Sequence, residues 1–301
     1  MVGESGTAAA ALPLCFQVVI VTHEPLTKVG PVLASLAQAA TDRFHVVVLT
    51  GAQSPGPSDD LGPRVTVAGF PGESVFHLRS RIPELTTSAE WAVILEDHNL
   101  VAPDWADRLL ETLLAQPPEV AVLIGAATND QSTDPWSYAN FLSVLGFHWW
   151  PSLHAPLEPL GFNIAFRRSR LPARRFELGA YEVEFMPGLM PLARGSTTFP
   201  VDHRQVRLFP GVLAYHWANG RVTGAFMRRF VDSGFLKVLS HGLNAALFRQ
   251  MRLRRLLRTH PRRGELPRGS LVRVQMLAVA HAFGAVFGGL FGAGRAPWEL
   301  E

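Results

Sequence analysis

The stretch Trp91-Ala92-Val93-Ile94-Leu95-Glu96-Asp97-His98-Asn99 sets an unbroken apolar run directly against two carboxylates and an imidazole. A short continuous apolar run of this kind reads as a strand buried on both faces. The carboxylates then fall at the strand's carboxyl end, where open α/β sheets bind their ligands. Two acids and a histidine in three successive positions repel and desolvate one another unless a cation joins them. Oxygen ligands with one imidazole suit Mg²⁺ or Mn²⁺. A solvated acidic turn after a strand is the other reading of the same residues.

Upstream, Phe16-Gln17-Val18-Val19-Ile20-Val21-Thr22 is a β-branched run that predicts the first strand. Residues 28–40 carry apolar side chains at helical spacing, and residues 44–49 and 65–70 read as two further strands. Between those strands, residues 51–63 are rich in Gly, Pro, Ser and Asp and read as loop. Residues 74–85 look helical and carry Arg79 and Arg81. After the organising strand, Pro103-Asp104-Trp105 starts a helix to about Ala115, followed by a strand over residues 120–125. Strands alternating with helices predict an α/β fold with a mainly parallel, helix-covered sheet. Residues 129–160 break the alternation and are rich in Pro and aromatics. They read either as an irregular packed insertion or as an acceptor-side wall in which Trp149 and Trp150 face a sugar ring or a lipid headgroup. Residues 161–168 and 207–216 read as strands, with helical character from Arg221 onward.

A chain of 301 residues can bury a sizeable core, and its formal charge of +3 is no general polyanion-binding signature. The basic residues are concentrated instead: residues 249–268 hold eight arginines and one acid, Glu265. That confinement argues against nucleic acid as a partner. The lone Cys15 allows no intrachain disulfide, which fits a reducing compartment. Residues 1–14 lack a basic segment before an apolar core and read as a flexible tail rather than a signal peptide.

The order of features resembles the inverting GT-A glycosyltransferases of the family-2 type over residues 16–242. Thr22-His23-Glu24 stands where that family has a Pro-Thr-x-Asn-like turn, and Leu78-Arg79-Ser80-Arg81 lies near its Ala-Arg-Asn-like segment. Leu95-Glu96-Asp97-His98 and Pro103-Asp104-Trp105 stand for its Leu-Asp-Asp-Asp and Pro-Asp-Trp. The Gly-x-Asn-x-x-Phe-Arg-Arg motif is present in full at Gly161, Asn163, Phe166, Arg167 and Arg168. Tyr181-Glu182-Val183-Glu184-Phe185 resembles the helix start that carries the family's catalytic base, and His216 matches a late histidine. Three positions depart from the pattern. Leu49-Thr50-Gly51 lacks the acid that contacts the nucleotide base, the third residue of the acidic motif is His98, and the base position holds Glu182 rather than Asp.

The resemblance implies a nucleotide-sugar donor, a saccharide or lipid-linked acceptor, and Mn²⁺ or Mg²⁺ as cofactor. It places Thr22, Glu24, Thr50, Arg79, Arg81, Glu96 and Asp97 on the donor side, Asn163 on the acceptor side, and Glu182 as general base. Asp97 leads the metal candidates, with His98 and His216 beside it; His216 reads equally as a histidine packed between Tyr215 and Trp217. Arg79 and Arg81 read either as diphosphate contacts or as ordinary ion pairs. A non-catalytic GT-A-like protein that binds a nucleotide sugar, or scaffolds glycan assembly, is the competing function. The expected division is a tail over 1–14, a transferase domain over 15–242 and a basic, amphipathic helical region over 243–301. The last region pairs the arginine cluster with an apolar segment over 271–294, which predicts docking on the inner face of the plasma membrane. A spanning helix and a buried core helix are the other readings of that segment.

Overall fold

The β-branched runs form the centre of a sheet because each strand is covered on both faces. In the computed structural model, which describes residues 15–39, 41, 43–53, 61, 63–86, 89–129, 134–150, 162–171, 188–204, 207–229 and 234–296, β1 (Phe16–Thr22) is buried along its whole length. It lies between β2 (Phe44–Thr50) and β4 (Trp91–Glu96), parallel to both. β3 (Val65–Gly69) extends the parallel set on the β2 side. On the other side β8 (Ile164–Arg167) runs antiparallel to β4 and to β6 (Val122–Ile124), and β9 (Ala193–Gly195) closes the edge parallel to β6. Among the described residues the main sheet has seven strands, ordered β3-β2-β1-β4-β8-β6-β9. A small second sheet orders β5 (Asn99–Val101), β10 (Val201–His203) and β7 (Ala127–Thr128) as β5-β10-β7. The register pairs Thr22 with Thr50 and Val21 with Glu96, so the carboxyl ends of three strands meet at one edge.

Helices α1 (Gly30–Ala37) and α4 (Trp105–Leu114) pack where apolar periodicity predicts them. The helix expected over 74–85 is two short helices, α2 (Val75–Arg79) and α3 (Ile82–Leu85). Pro83 is the cause: it lacks an N–H, and its ring would meet the carbonyl four residues back. The aromatic insertion contains a helix that its composition concealed, α5 (Pro135–Leu145). Asp134 caps it by accepting the N–H groups of Trp136 and Ser137, with Pro135 at the first helical position.

One expected strand is wrong. Residues 207–216 lead into α6 (Gly211–Arg229). Burial falls on Val212, His216, Gly220 and Gly224, a four-residue spacing that belongs to a helix, and Leu208 and Phe209 before it are exposed. The C-terminal region follows as α7 (Phe235–Leu243), a π-helical turn (Asn244–Arg249), α8 (Gln250–Thr259) and α9 (Ser270–Phe291). Leu253, Leu257, Val274 and Leu277 join the same apolar core as the sheet. Gly220 and Gly224 of α6 lie against the main chain of His281, Ala285 and Gly289 in α9, and Gly284 and Gly288 of α9 lie against that of Trp217 and Arg221 in α6. A Cβ at any of the four would fall under 3.0 Å from a main-chain atom of the other helix.

Candidate metal and donor site

The site begins where the apolar run of β4 stops. Glu96 ends the strand, Asp97 and His98 make the turn, and Asn99 opens β5. The buried Asn99 side chain accepts the Glu96 N–H at 2.8 Å, which closes the turn and holds the three polar side chains on its outside. β5 pairs antiparallel with β10, His203 opposite Asn99, and this register delivers a second imidazole to the turn.

Three ligand atoms then converge. His98 Nε2 lies 3.1 Å from Glu96 Oε2 and 3.1 Å from His203 Nε2, and His203 Nε2 lies 3.6 Å from the same carboxylate oxygen. One ligand atom from each of Glu96, His98 and His203 fits within 4.8 Å of the others. Two imidazole nitrogens facing each other at this distance hold one proton between them or share a cation. Asp97 stands behind His98, its Oδ1 2.8 Å from Nδ1. A carboxylate in that place fixes the tautomer and leaves Nε2 free as a ligand, the arrangement that commonly supports metal-bound histidine. The Thr22 hydroxyl at the end of β1 donates to Asp97 Oδ2 and accepts the Glu24 N–H at 3.0 Å. Buried Arg79 donates to Glu96 Oε1 at 2.6 Å.

The charges follow from these contacts. Burial pushes the Glu96 carboxyl up, but hydrogen bonds from His203 and His98 and the charge of Arg79 more than reverse it, leaving it well below the ordinary range. Burial disfavours a charge on His98, yet its bonds to Asp97 and Glu96 raise it to about 9. His203 goes the other way: burial lowers it, and the His98 charge adds to that lowering. Without an ion, a proton on His98 therefore takes the place a cation would fill. The donor set of one carboxylate and two imidazoles suits a borderline divalent ion. Asp97 and His98 keep 17 % and 24 % of their side-chain surface open, so an ion or ligand can reach them.

The other candidates fall in several places. Thr50 ends β2, buried, and accepts the Ala52 N–H at 3.2 Å. Glu24 lies half open at the end of β1, 3.6 Å from His23. Arg81 turns away from the cluster, donating to Glu73 at 2.8 Å and covering the Phe70 ring at 3.9 Å. Asn163 is buried at φ 47°, its amide donating to the carbonyls of Ala126 and Phe199 at 2.8 and 3.0 Å. It ties together the chain entering β7 and the chain entering β10. Trp149 is fully buried, stacked on His260 at 4.1 Å, whereas Trp150 is 36 % exposed. His216 sits inside the helices with Nε2 3.0 Å from Asn140 Oδ1, outside the group of three ligand atoms. Burial and the nearby charges of His281, Arg249 and Arg207 push it down to about 3. Glu182 lies outside the described residues. His203 is the residue that sequence reading missed; a short strand far along the chain carries no local mark of its partner.

Neither a protein-family model nor a curated protein matches the chain by sequence. Its fold has relatives among solved structures. The mannosyltransferase PcManGT from Pyrobaculum calidifontis, solved with GDP-Man and Mn²⁺, superposes with a TM-score of 0.56 at 17 % identity, covering 93 % of this chain and 87 % of that one. GalNAc-T7, solved with UDP, GalNAc and Mn²⁺, gives a TM-score of 0.44 at 14 % identity over 65 % of this chain and 44 % of that one. The chain thus has a glycosyltransferase-like GT-A fold: a mostly parallel sheet between helices, with an apolar helix at its C-terminal end.

Proposed function

We propose that the protein is a metal-dependent glycosyltransferase that moves a sugar from a nucleotide-sugar donor to an acceptor hydroxyl with inversion. The observation that carries this reading is the convergence of Glu96, His98 and His203 at the carboxyl end of β4 in a GT-A sheet. The solved neighbour with GDP-Man and Mn²⁺ supports both the donor class and the ion. Two imidazoles beside one carboxylate favour Mn²⁺ over Mg²⁺, which prefers oxygen and water ligands. A cation held there would neutralise the charge that grows on the departing diphosphate.

The chain's own residues do the rest. Asp97 orients His98, and Thr22 orients Asp97. Arg79 holds the Glu96 carboxylate toward the shared point. Glu182 takes the proton of the acceptor hydroxyl as its oxygen bonds to the anomeric carbon. The carbon–oxygen bond to the diphosphate breaks on the opposite face, which inverts the configuration. Trp150 belongs to the acceptor side, where the acceptor is a saccharide or is lipid-linked, and buried Asn163 supports that side through the backbone it holds. Residues 15–242 form the transferase unit, and residues 243–301 hold it at the cytoplasmic face of the plasma membrane.

A thermal-shift panel of UDP-, GDP- and dTDP-sugars, with and without Mn²⁺, tests this, since a ligand of the native state raises its stability. One donor should stabilise the protein only when Mn²⁺ is present, and slow hydrolysis of that donor should follow. Absence of a shift with every donor, with and without Mn²⁺, would refute the reading.

A further inference from the structure

α9 is mostly apolar, interrupted by Arg273, Gln275 and His281, and two of its faces meet different surroundings. One face, with Val274, Leu277, Ala278 and Ala285, is buried against the protein. The other presents Val272, Met276, Val279, Phe283, Phe287 and Leu290, all between 38 % and 66 % exposed. Their spacing of three and four residues makes a single stripe, which over these residues runs roughly 27 Å at ~1.5 Å per residue. A continuous apolar stripe of that length facing water marks a surface that something covers.

The neighbouring helix supplies the second half. Val238 meets Gly289, Gly242 meets Ala282, and the Gln275 amide donates to the Ala246 carbonyl at 2.6 Å. These contacts set α7 and its π-helical extension antiparallel to α9, so α8 continues past the N-terminal end of the stripe. There an open groove of about 680 Å³ lies among Phe248, Met251, Arg252, Arg255 and Arg258. Phe248 and Met251 are each 56 % exposed. Arg252, Arg255 and Arg258 are exposed over two turns of α8, whereas Arg262 nearby is occupied by Glu265 at 2.6 Å.

We propose that this face is a docking surface for an anionic phospholipid bilayer. The guanidinium groups of Arg252, Arg255 and Arg258 take headgroup phosphates, Phe248 and Met251 enter the acyl boundary beside them, and the stripe of α9 lies along the same boundary. Charge complementarity selects this occupant. Guanidinium pairs phosphate bidentately and is weakly hydrated, so it suits a phosphate layer above hydrocarbon. A second copy packed isologously about the arginine cluster would bring the same side chains against each other. The proposal deepens the membrane-side part of the function above. Its test reads no catalysis, so its failure and a failure of the transferase reading are separate results.

The test is flotation of the full chain with vesicles of phosphatidylcholine alone and of phosphatidylcholine mixed with phosphatidylglycerol. Binding should require the anionic lipid. It should fall about fivefold for each of Arg252, Arg255 and Arg258 changed to Gln, and Phe283→Gln should weaken it further. Arg108→Gln, on α4 and paired with Asp104, should float as the wild type does, and unchanged melting temperatures should confirm that the variants fold. Any of these results would overturn the proposal: no flotation of the wild type, a triple arginine variant that floats normally, or a dimer in solution that Phe283→Gln dissociates without any vesicle binding. Retention in the vesicles after alkaline carbonate would overturn it in favour of a spanning helix.

Discussion

His203→Ala should abolish tight metal binding, whereas His216→Ala should spare it. His203 supplies one of the three converging atoms of the candidate metal site, and its Nε2 sits 3.1 Å from that of His98. Removing a residue that only supports a metal ligand costs about 10–100-fold in affinity, so removal of a ligand itself sets a loss of at least ~100-fold, or about 2.7 kcal/mol. The substitution also takes away a buried ring stacked on Phe162 at 4.7 Å, which should cost about 1–3 kcal/mol of stability. Folding must therefore be followed alongside. Titration of the full chain with Mn²⁺, read by the resonance of the free ion, measures the affinity without any donor. His216 hydrogen-bonds Asn140 among the helices and should act only on stability. Wild-type Mn²⁺ affinity in a folded His203→Ala protein would refute the assignment, and loss of binding in His216→Ala alone would move the ion to the helices.

Four other outcomes follow from the same geometry. Asp97→Asn should weaken Mn²⁺ binding by roughly 10–100-fold, less than His203→Ala, because Asp97 acts through His98; equal losses in titration would place Asp97 in direct contact with the ion. Glu182→Gln should retain donor-induced thermal stabilisation and lose turnover by about a hundredfold, and near-normal turnover would remove Glu182 from the base role. Gly224→Leu should destabilise the protein by about 1–3 kcal/mol in urea unfolding, because its Cβ would meet the main chain of Ala285 and Gly289; Gly30→Ala, with open space around it, should not. His216 is held neutral, at about 3 against 6.5 when unfolded, so its stabilisation is complete above 6.5 and fades as pH falls through that window. The loss at pH 5 should be about 2 kcal/mol, with His281, lowered to about 4, adding in the same direction; His216→Gln should flatten the acid limb of a Tm–pH curve, and an unchanged limb would count against the assignment.

What the sequence made legible depended on how local the physics was. β1, β2 and β4 were readable because continuous β-branched runs have no comfortable place except a sheet covered on both faces. The polar edge of the sheet was readable for the same reason: polarity returns abruptly at Thr22, Thr50 and Glu96, and the register sets those ends side by side. The helix in the aromatic insertion was missed although its signal is local, an Asp-Pro cap at Asp134 and Pro135. Aromatic composition masked it. Residues 207–216 read as a strand by themselves, because the spacing that decides the element starts at Val212 and continues through Gly220 and Gly224.

His203 was hidden for a different reason. It lies 105 residues from His98, and only the pairing of β10 with β5 brings the two together. Strand pairing across such a distance leaves no trace in either segment. Within Val201-Asp202-His203 the more conspicuous residue is the acid, yet the pleat sends neighbours to opposite faces. Asp202 accordingly points to Arg204, whose Nε donates to it at 2.7 Å, and takes no part in the group of ligand atoms. A slip of one residue in that pairing would exchange the two, putting a carboxylate in place of an imidazole beside Glu96 and His98. Which side chain faces the turn is therefore a property of the β10–β5 register, and Asn163 steadies the chain entering β7 and β10 by donating to Ala126 and Phe199. In this chain the asparagine of the Gly-x-Asn motif acts on the candidate site through the backbone it ties down.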